Sequence, residues 1–211
     1  MNSIGTPYLP TQNDGNGPFI VLEGVSGIGK TTLAAVLRDR LSATTLHTLP
    51  APHNGWSVTV NAVLCPLPQF AFYLSGLLHA SDLIRQARTL GPVIADRYVS
   101  SVTACHAAVH QVPIEAVVER LLPFREYLVK PTRTFYLTCT EQRLRERLTT
   151  KQDIKTDDHE LLSVPGRLTS LLANFERVAA QDTSAVCLDT SEATPEDLVD
   201  IILSHLEHPR A

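Results

Sequence analysis

Lys30 and Thr31 close a glycine-rich run, and that pair sets the chemistry open to this chain. Residues 19–32 read FIVLEGVSGIGKTT, in which Gly24, Gly29, Lys30 and Thr31 satisfy G-x-x-x-x-G-K-[ST]. Across Gly24, Ser26, Gly27, Ile28 and Gly29 the backbone can curl its N–H groups around phosphate oxygens. Lys30 would reach the terminal phosphates, Thr31 would offer its hydroxyl to Mg²⁺, and Thr32 would continue a helix whose positive end faces the anion. The flanks agree. Phe19 to Leu22 is an apolar run suited to a buried strand, and Leu33, Val36, Leu37 and Leu41 recur at helical spacing. A strand, a glycine loop and a helix in that order predict a nucleoside-triphosphate site.

The second chemical cluster is Asp96-Arg97-Tyr98, directly after the apolar residues Val93 to Ala95. An acid at a strand end can orient Mg²⁺ or its waters, or accept the proton of an attacking hydroxyl. An adjacent arginine can hold a phosphoryl oxygen bidentately. A surface ion pair is the plain reading of these two residues alone; the upstream phosphate loop favours the functional one.

Those side chains need a scaffold. Further short strands are expected at 44–49, 93–95, 134–138 and 186–188, alternating with helices at 67–90, 99–110, 113–122, from 141 through Leu148, around 168–178 and after Thr194. Thr138 and Glu141 suggest a capping box, residues 50–55 a loop, and Pro165-Gly166 either a hinge or a plain turn. Such alternation implies an α/β protein: a three-layer α/β/α P-loop NTPase fold with a five-stranded parallel sheet, ligands gathering at the carboxyl ends of the strands. Glu23, Gly24 and Asp96 fall at those ends. Residues 1–18, with Pro7, Pro10, Gly15, Gly17 and Pro18, read as a disordered or loosely attached arm before a single domain at 19–211.

At 211 residues, 44% hydrophobic and with net charge −4, the chain resembles a soluble globular domain and offers no basic surface for nucleic acid. No apolar run approaches a membrane span and no signal peptide is evident, so a cytoplasmic protein is expected. Cys65, Cys105, Cys139 and Cys187 are widely spaced, which fits four buried reduced thiols rather than a metal site or a disulfide framework.

The segments FIVLEGVSGIGKTTLA, VIADRYVSS, PTRTFYLTCTEQRLRERL and LDTSEATPEDLV resemble the thymidylate kinase family, over nearly the whole chain after residue 18. The resemblance implies a nucleoside monophosphate kinase fold, ATP and Mg²⁺ as phosphoryl donor, and a homodimer. It assigns Lys30 and Thr31 to ATP and metal, Asp96 and Arg97 to the metal and acceptor side, Ser101 to the serine of the D-R-Y motif, and Asp189 to Glu192 to the rim of the adenine site. Glu23, Phe72, Gly76, His79, Tyr98 and Ser101 would border the acceptor. The family also closes an arginine-rich lid, here around 149–166. Arg143 and Arg147 lie four apart and share a helix face, while Arg145 points elsewhere. Arg147 is nearest the lid and is the first choice for the cation that neutralises the transferring group, with Lys151 and Lys155 as further candidates.

The departures are informative. Ser26 stands where the family often has an acid, His47-Thr48-Leu49-Pro50 lacks the arginine of an R-x-P stretch, and Gly76 replaces an arginine between Phe72 and His79. Three polar acceptor contacts are lost together, which argues against thymidylate itself. A different nucleotide, a nucleoside or another hydroxyl-bearing small molecule remains. His79 is favoured over His53 and His106 as an acceptor contact, Phe70 and Tyr73 read as core, and Trp56 would either cover the acceptor or anchor its loop. The expected activity is ATP-dependent phosphoryl transfer to a small acceptor; the alternative is a non-catalytic or slow ATP-binding switch.

Overall fold

Phe19–Glu23 forms β1, buried along its whole length, as an apolar run without alternation requires of a strand covered on both faces. The computed structural model describes residues 15–150 and 156–207. Thr44–His47 (β2), Val93–Asp96 (β3), Arg133–Thr138 (β4) and Ala185–Asp189 (β5) complete a five-stranded sheet in the order β2-β3-β1-β4-β5. Every pairing is parallel, and Leu22 of β1 is in register with Asp96 of β3. The ends of β1 and β3 therefore deliver Glu23 and Asp96 side by side.

The helices are Lys30–Leu41 (α1), Ser57–Val63 (α2), Pro66–Arg88 (α3), Val99–His110 (α4), Ile114–Leu121 (α5), Glu141–Thr150 (α6), Thr156–Ser163 (α7), Arg167–Gln181 (α8) and Pro195–Glu207 (α9). α1 packs with α9, while α3, α4 and α8 form the other layer. Leu33 and Leu37 of α1 and Leu168, Leu171 and Phe175 of α8 are buried, as their spacing predicts.

Several expectations change. β2 stops at His47. Residues 53–56 form a 3-10 turn leading into α2, where a loop had been expected. Arg143 N–H donates to Thr140 Oγ1 at 3.3 Å, so Thr140, not Thr138, caps α6. Thr138 instead donates its hydroxyl to Leu188 O across the β4–β5 edge. Thr194 and Asp197 cap α9 reciprocally, side chain to backbone in both directions. α7 lies inside the expected lid, with Leu161 buried and Glu160 paired to Arg167. Lys151 and Lys155 fall outside the described residues, as does the arm before residue 15. Gly17 is bound at both backbone groups to Arg88: its N–H donates to Arg88 O, and Arg88 Nε donates to Gly17 O. The four cysteines form no disulfide, but Cys65 and Cys187 are exposed and Cys105 and Cys139 half-buried, so none is the buried thiol expected. Among the described residues no helix is long and apolar enough to cross a membrane.

Candidate active site

The loop from Gly24 to Lys30 leaves β1 and enters α1 through left-handed backbone at Gly27 (φ 80°) and Gly29 (φ 107°), which only glycine adopts without strain. Among the described residues a Cβ at Gly29 would meet nothing within 4 Å, so they leave that face of the loop open. A Cβ at Gly27 would lie 2.7 Å from Leu148 Cδ2, so the opposite face rests on α6. Lys30 is only 5% exposed, and its ammonium turns back to donate to Gly24 O at 3.0 Å and Val25 O at 2.7 Å. Burial lowers its pKa to about 7, and Arg97 adds to the fall; Asp96 and Glu23 pull the other way.

Thr31 and Asp96 meet directly: the threonine hydroxyl donates to Asp96 Oδ2 at 2.7 Å. Asp96 Oδ1 is buried with no hydrogen-bond partner among the described residues. A hydroxyl and a carboxylate with a spare buried oxygen are donors suited to a hard divalent cation that keeps waters and phosphate oxygens in its remaining positions. Arg97 follows at φ 76°, a strained conformation for a side-chain-bearing residue, and one that clusters at functional sites. Its Nη1 donates to Gly24 O at 3.2 Å and to Ser101 Oγ at 3.1 Å, fixing the guanidinium beside the phosphate loop.

Glu23, Tyr98 and Ser101 are drawn together, but inward. Glu23 is fully buried. Its Oε1 accepts the N–H groups of Tyr98 (2.9 Å) and Ser101 (3.1 Å), and Oε2 accepts the Ser101 hydroxyl. The carboxylate thus closes the first turn of α4. Burial raises its pKa, against the opposing pull of the Ser101 bond and Arg97. Tyr98 is 2% exposed, its hydroxyl 2.5 Å from Ser81 Oγ and its ring edge-on to Phe19. These three residues anchor the motif that presents Asp96 and Arg97.

On α3, Phe72, Gly76 and His79 share one face. Gly76 is a site of close approach: a Cβ there would stand 2.5 Å from Leu49 Cδ2 and 3.8 Å from the His53 ring. His53 lies 5.6 Å from the rings of both Phe72 and His79. Phe70 is core, Tyr73 hydrogen-bonds Asn61, and Trp56 is 62% exposed. His106 packs on Phe70 and His110.

At the other end of the loop, a cavity of about 340 Å³ is lined by Arg143, Glu146, Arg147, Thr150, Ser191 and Glu192, among others. Arg147 donates to Ile28 O in the phosphate loop and to both Thr190 Oγ1 (2.9 Å) and Thr190 O (2.6 Å) after β5. Arg143 pairs with Glu146 and Glu192, and Arg145 with Glu141 away from the cavity, as the helix spacing required. Asp189 accepts from Ser191 N–H and hydroxyl, holding that loop in a turn and lowering the acid's pKa.

The family model for thymidylate kinase matches residues 22–202, which takes in the phosphate loop, Asp96-Arg97 and the loop after β5. The chain belongs to the thymidylate kinase family. A probable thymidylate kinase of Staphylothermus marinus is 35% identical over 136 residues, a match spanning 59% of this chain and 65% of that protein, just under two thirds of its length. A second, from Natronomonas pharaonis, is 26% identical over 198 residues, 86% of this chain and 98% of the relative. Among solved structures, Candida albicans thymidylate kinase superposes with a TM-score of 0.75 at 18% identity, covering 90% of this chain and 91% of that one. Deoxyadenosine kinase from M. mycoides, solved with dCMP and a flexible dCDP, gives 0.64 at 18% identity, covering 90% and 98%. Both likenesses establish the fold that carries the site.

Thr48, whose hydroxyl is buried without a partner among the described residues, was not singled out by sequence reasoning, and His53 ranked below His79. A threonine in a short His-Thr-Leu-Pro stretch carries no signal until the fold shows what surrounds it.

Proposed function

We propose that this member of the thymidylate kinase family transfers the γ-phosphoryl group of ATP to the hydroxyl or phosphate oxygen of a nucleotide, nucleoside or similar small acceptor. The observation that carries the reading is the meeting of Lys30, Thr31 and Asp96 at one glycine loop, with Asp96 Oδ1 buried and without a hydrogen-bond partner among the described residues. Thr31 and Asp96 would hold Mg²⁺, which supplies neutralisation of the β- and γ-phosphate charge when bound. Lys30 would exchange the carbonyls of Gly24 and Val25 for terminal phosphate oxygens. Arg97 would face the oxygen receiving the phosphoryl group while Asp96 takes up its proton or orients the metal. Arg147 would add positive charge at the rim, beside the adenine rim formed by Asp189 and its neighbours. Catalysis of this kind is largely positioning and electrostatic stabilisation. By its family resemblance the protein is read as a homodimer. The fold also serves a deoxyadenosine kinase in M. mycoides, which supports admitting neutral nucleosides as well as nucleotides.

Wild-type protein incubated with ATP–Mg²⁺ and a panel of nucleosides and nucleotides is expected to yield a phosphorylated acceptor by mass spectrometry, with thymidylate not preferred. Lys30→Ala should slow transfer by about 10- to 100-fold, the worth of one charge-assisted contact. Transfer within tenfold of wild type would remove Lys30 from its role, and ATP turnover without any product would favour a switch.

A further inference from the structure

The stretch from the start of β2 to the middle of α3 carries no formal charge. From Leu41 to Ser81 the chain contains no Asp, Glu, Lys or Arg, although such residues make up 19% of the whole. That stretch builds β2, the loop 48–56, α2 and most of α3. Within it Thr48 Oγ1 and His53 Nδ1 are buried without hydrogen-bond partners among the described residues, and Asp96 Oδ1 is in the same condition. The β2–β3 register sets Asp96 opposite His47, the residue before Thr48. Buried polar atoms are almost always paired, and leaving one unpaired is costly. Thr48 and Asp96 here leave adjacent strand ends, and His53 follows five residues on, above Gly76.

His53 is held by its other nitrogen. Nε2 lies 3.1 Å from Ser75 Oγ, and the ring is seated over Gly76 between Phe72 and His79. This leaves Nδ1 facing the interior. Burial first, then His79, lowers the pKa of the imidazole, which keeps it neutral at pH 7. A neutral imidazole nitrogen and a threonine hydroxyl can each donate or accept.

We propose that Thr48 and His53 are specificity-determining residues that read an uncharged hydrogen-bonding edge of the acceptor, the base or sugar of a nucleoside-type molecule. This rests on the phosphotransferase reading and names the acceptor class for the same site. A phosphate dianion is recognised best by guanidinium or ammonium groups, and residues 41–81 supply neither. A site with buried donors and acceptors instead rejects molecules that leave them unpaired.

The two nitrogens of His53 separate recognition from mere support. Asn places a polar atom where Nδ1 lies and loses Nε2; Gln does the reverse. Calorimetry on the full chain would measure first ATP–Mg²⁺, then a panel of deoxynucleosides and their monophosphates, in wild type, His53→Asn, His53→Gln, Thr48→Val and Thr48→Ser. The expected result is ATP affinity unchanged throughout, nucleoside affinity at least about tenfold weaker in His53→Gln and Thr48→Val, and affinity within about threefold of wild type in His53→Asn and Thr48→Ser. If His53→Asn loses as much as His53→Gln, if both Gln and Val variants bind normally, or if no nucleoside-type molecule binds while ATP does, the proposal is overturned. Failure of wild type to bind ATP would instead bring down the phosphotransferase reading beneath it.

Discussion

Lys30 is where burial and charge pull against each other. The unfolded chain titrates this amine near its ordinary value of 10.5, whereas in the folded protein burial lowers it to about 7. Between those values the unfolded state binds more protons, so this group makes stability rise with pH from about 7 to 10.5, and its desolvation penalty is felt in full below 7. Phosphate oxygens favour the charged amine and must raise its pKa again. ATP binding is therefore expected to take up about one proton at pH 8 and to weaken as pH rises above 7. Calorimetry at pH 8 in two buffers of different ionisation enthalpy checks this: identical apparent heats would mean that Lys30 is not the amine the phosphates meet. Glu23 carries the opposite sign. Its folded pKa is raised, so it favours the folded state at low pH and loses that contribution as pH climbs through the carboxylate range.

Two glycines of one loop separate packing from ligand contact. Gly27→Ala would press a methyl onto Leu148, which is 3% exposed, from a backbone at φ 80°. It should lower stability by about 1–3 kcal/mol, read by urea denaturation. Gly29→Ala meets open space, so its main cost should be about tenfold or more in ATP affinity, with backbone strain of about 1–2 kcal/mol. Equal losses of stability with normal ATP binding in both would refute an outward-facing phosphate cradle at Gly29. Glu23→Ala strips the first turn of α4 of its buried acceptor and should cost about 2–4 kcal/mol of stability, with Glu23→Gln costing less because the amide oxygen can still accept.

At the same scale, what the sequence could and could not disclose has physical causes. β1 and β3 were legible because a strand buried on both faces needs an unbroken apolar run. The phosphate loop was legible because its glycines are fixed by backbone angles. α2 was not: Val58, Thr59, Val60 and Val63 are poor helix formers following Asn54-Gly55, and the helix is held from outside, where Asn61 accepts from Gln69 and Tyr73 of α3. The inward turn of Glu23 and Tyr98 was hidden for a similar reason. A carboxylate at a strand end reads as a ligand contact until the next helix is seen to place two N–H groups on it. The orphaned atoms of Thr48 and His53 are further from view, since burial without a partner is a property of the assembled fold.

Over the whole molecule, the two ends of the proposed ATP site are joined by one side chain. Arg147 rises from α6, which follows β4, and binds Ile28 O in the loop after β1 together with Thr190 in the loop after β5. Thr190 is itself tied back to Thr138 O by both its N–H and its hydroxyl. The guanidinium thereby sets the separation between the phosphate loop and the cavity beside Ser191, and its hydrogen bonds in this structure go to protein oxygens. Arg147→Ala should consequently raise the KM for ATP about tenfold with a smaller fall in kcat, because uniform binding is lost more than transition-state contact. Stability in the absence of ATP should fall by about 1–2 kcal/mol, the order of one or two charged hydrogen bonds at a partly exposed site. Steady-state kinetics decides the matter. A kcat reduced a hundredfold at unchanged KM would show that the guanidinium leaves Thr190 during turnover and acts on the transferring phosphoryl group, as the sequence reading had it.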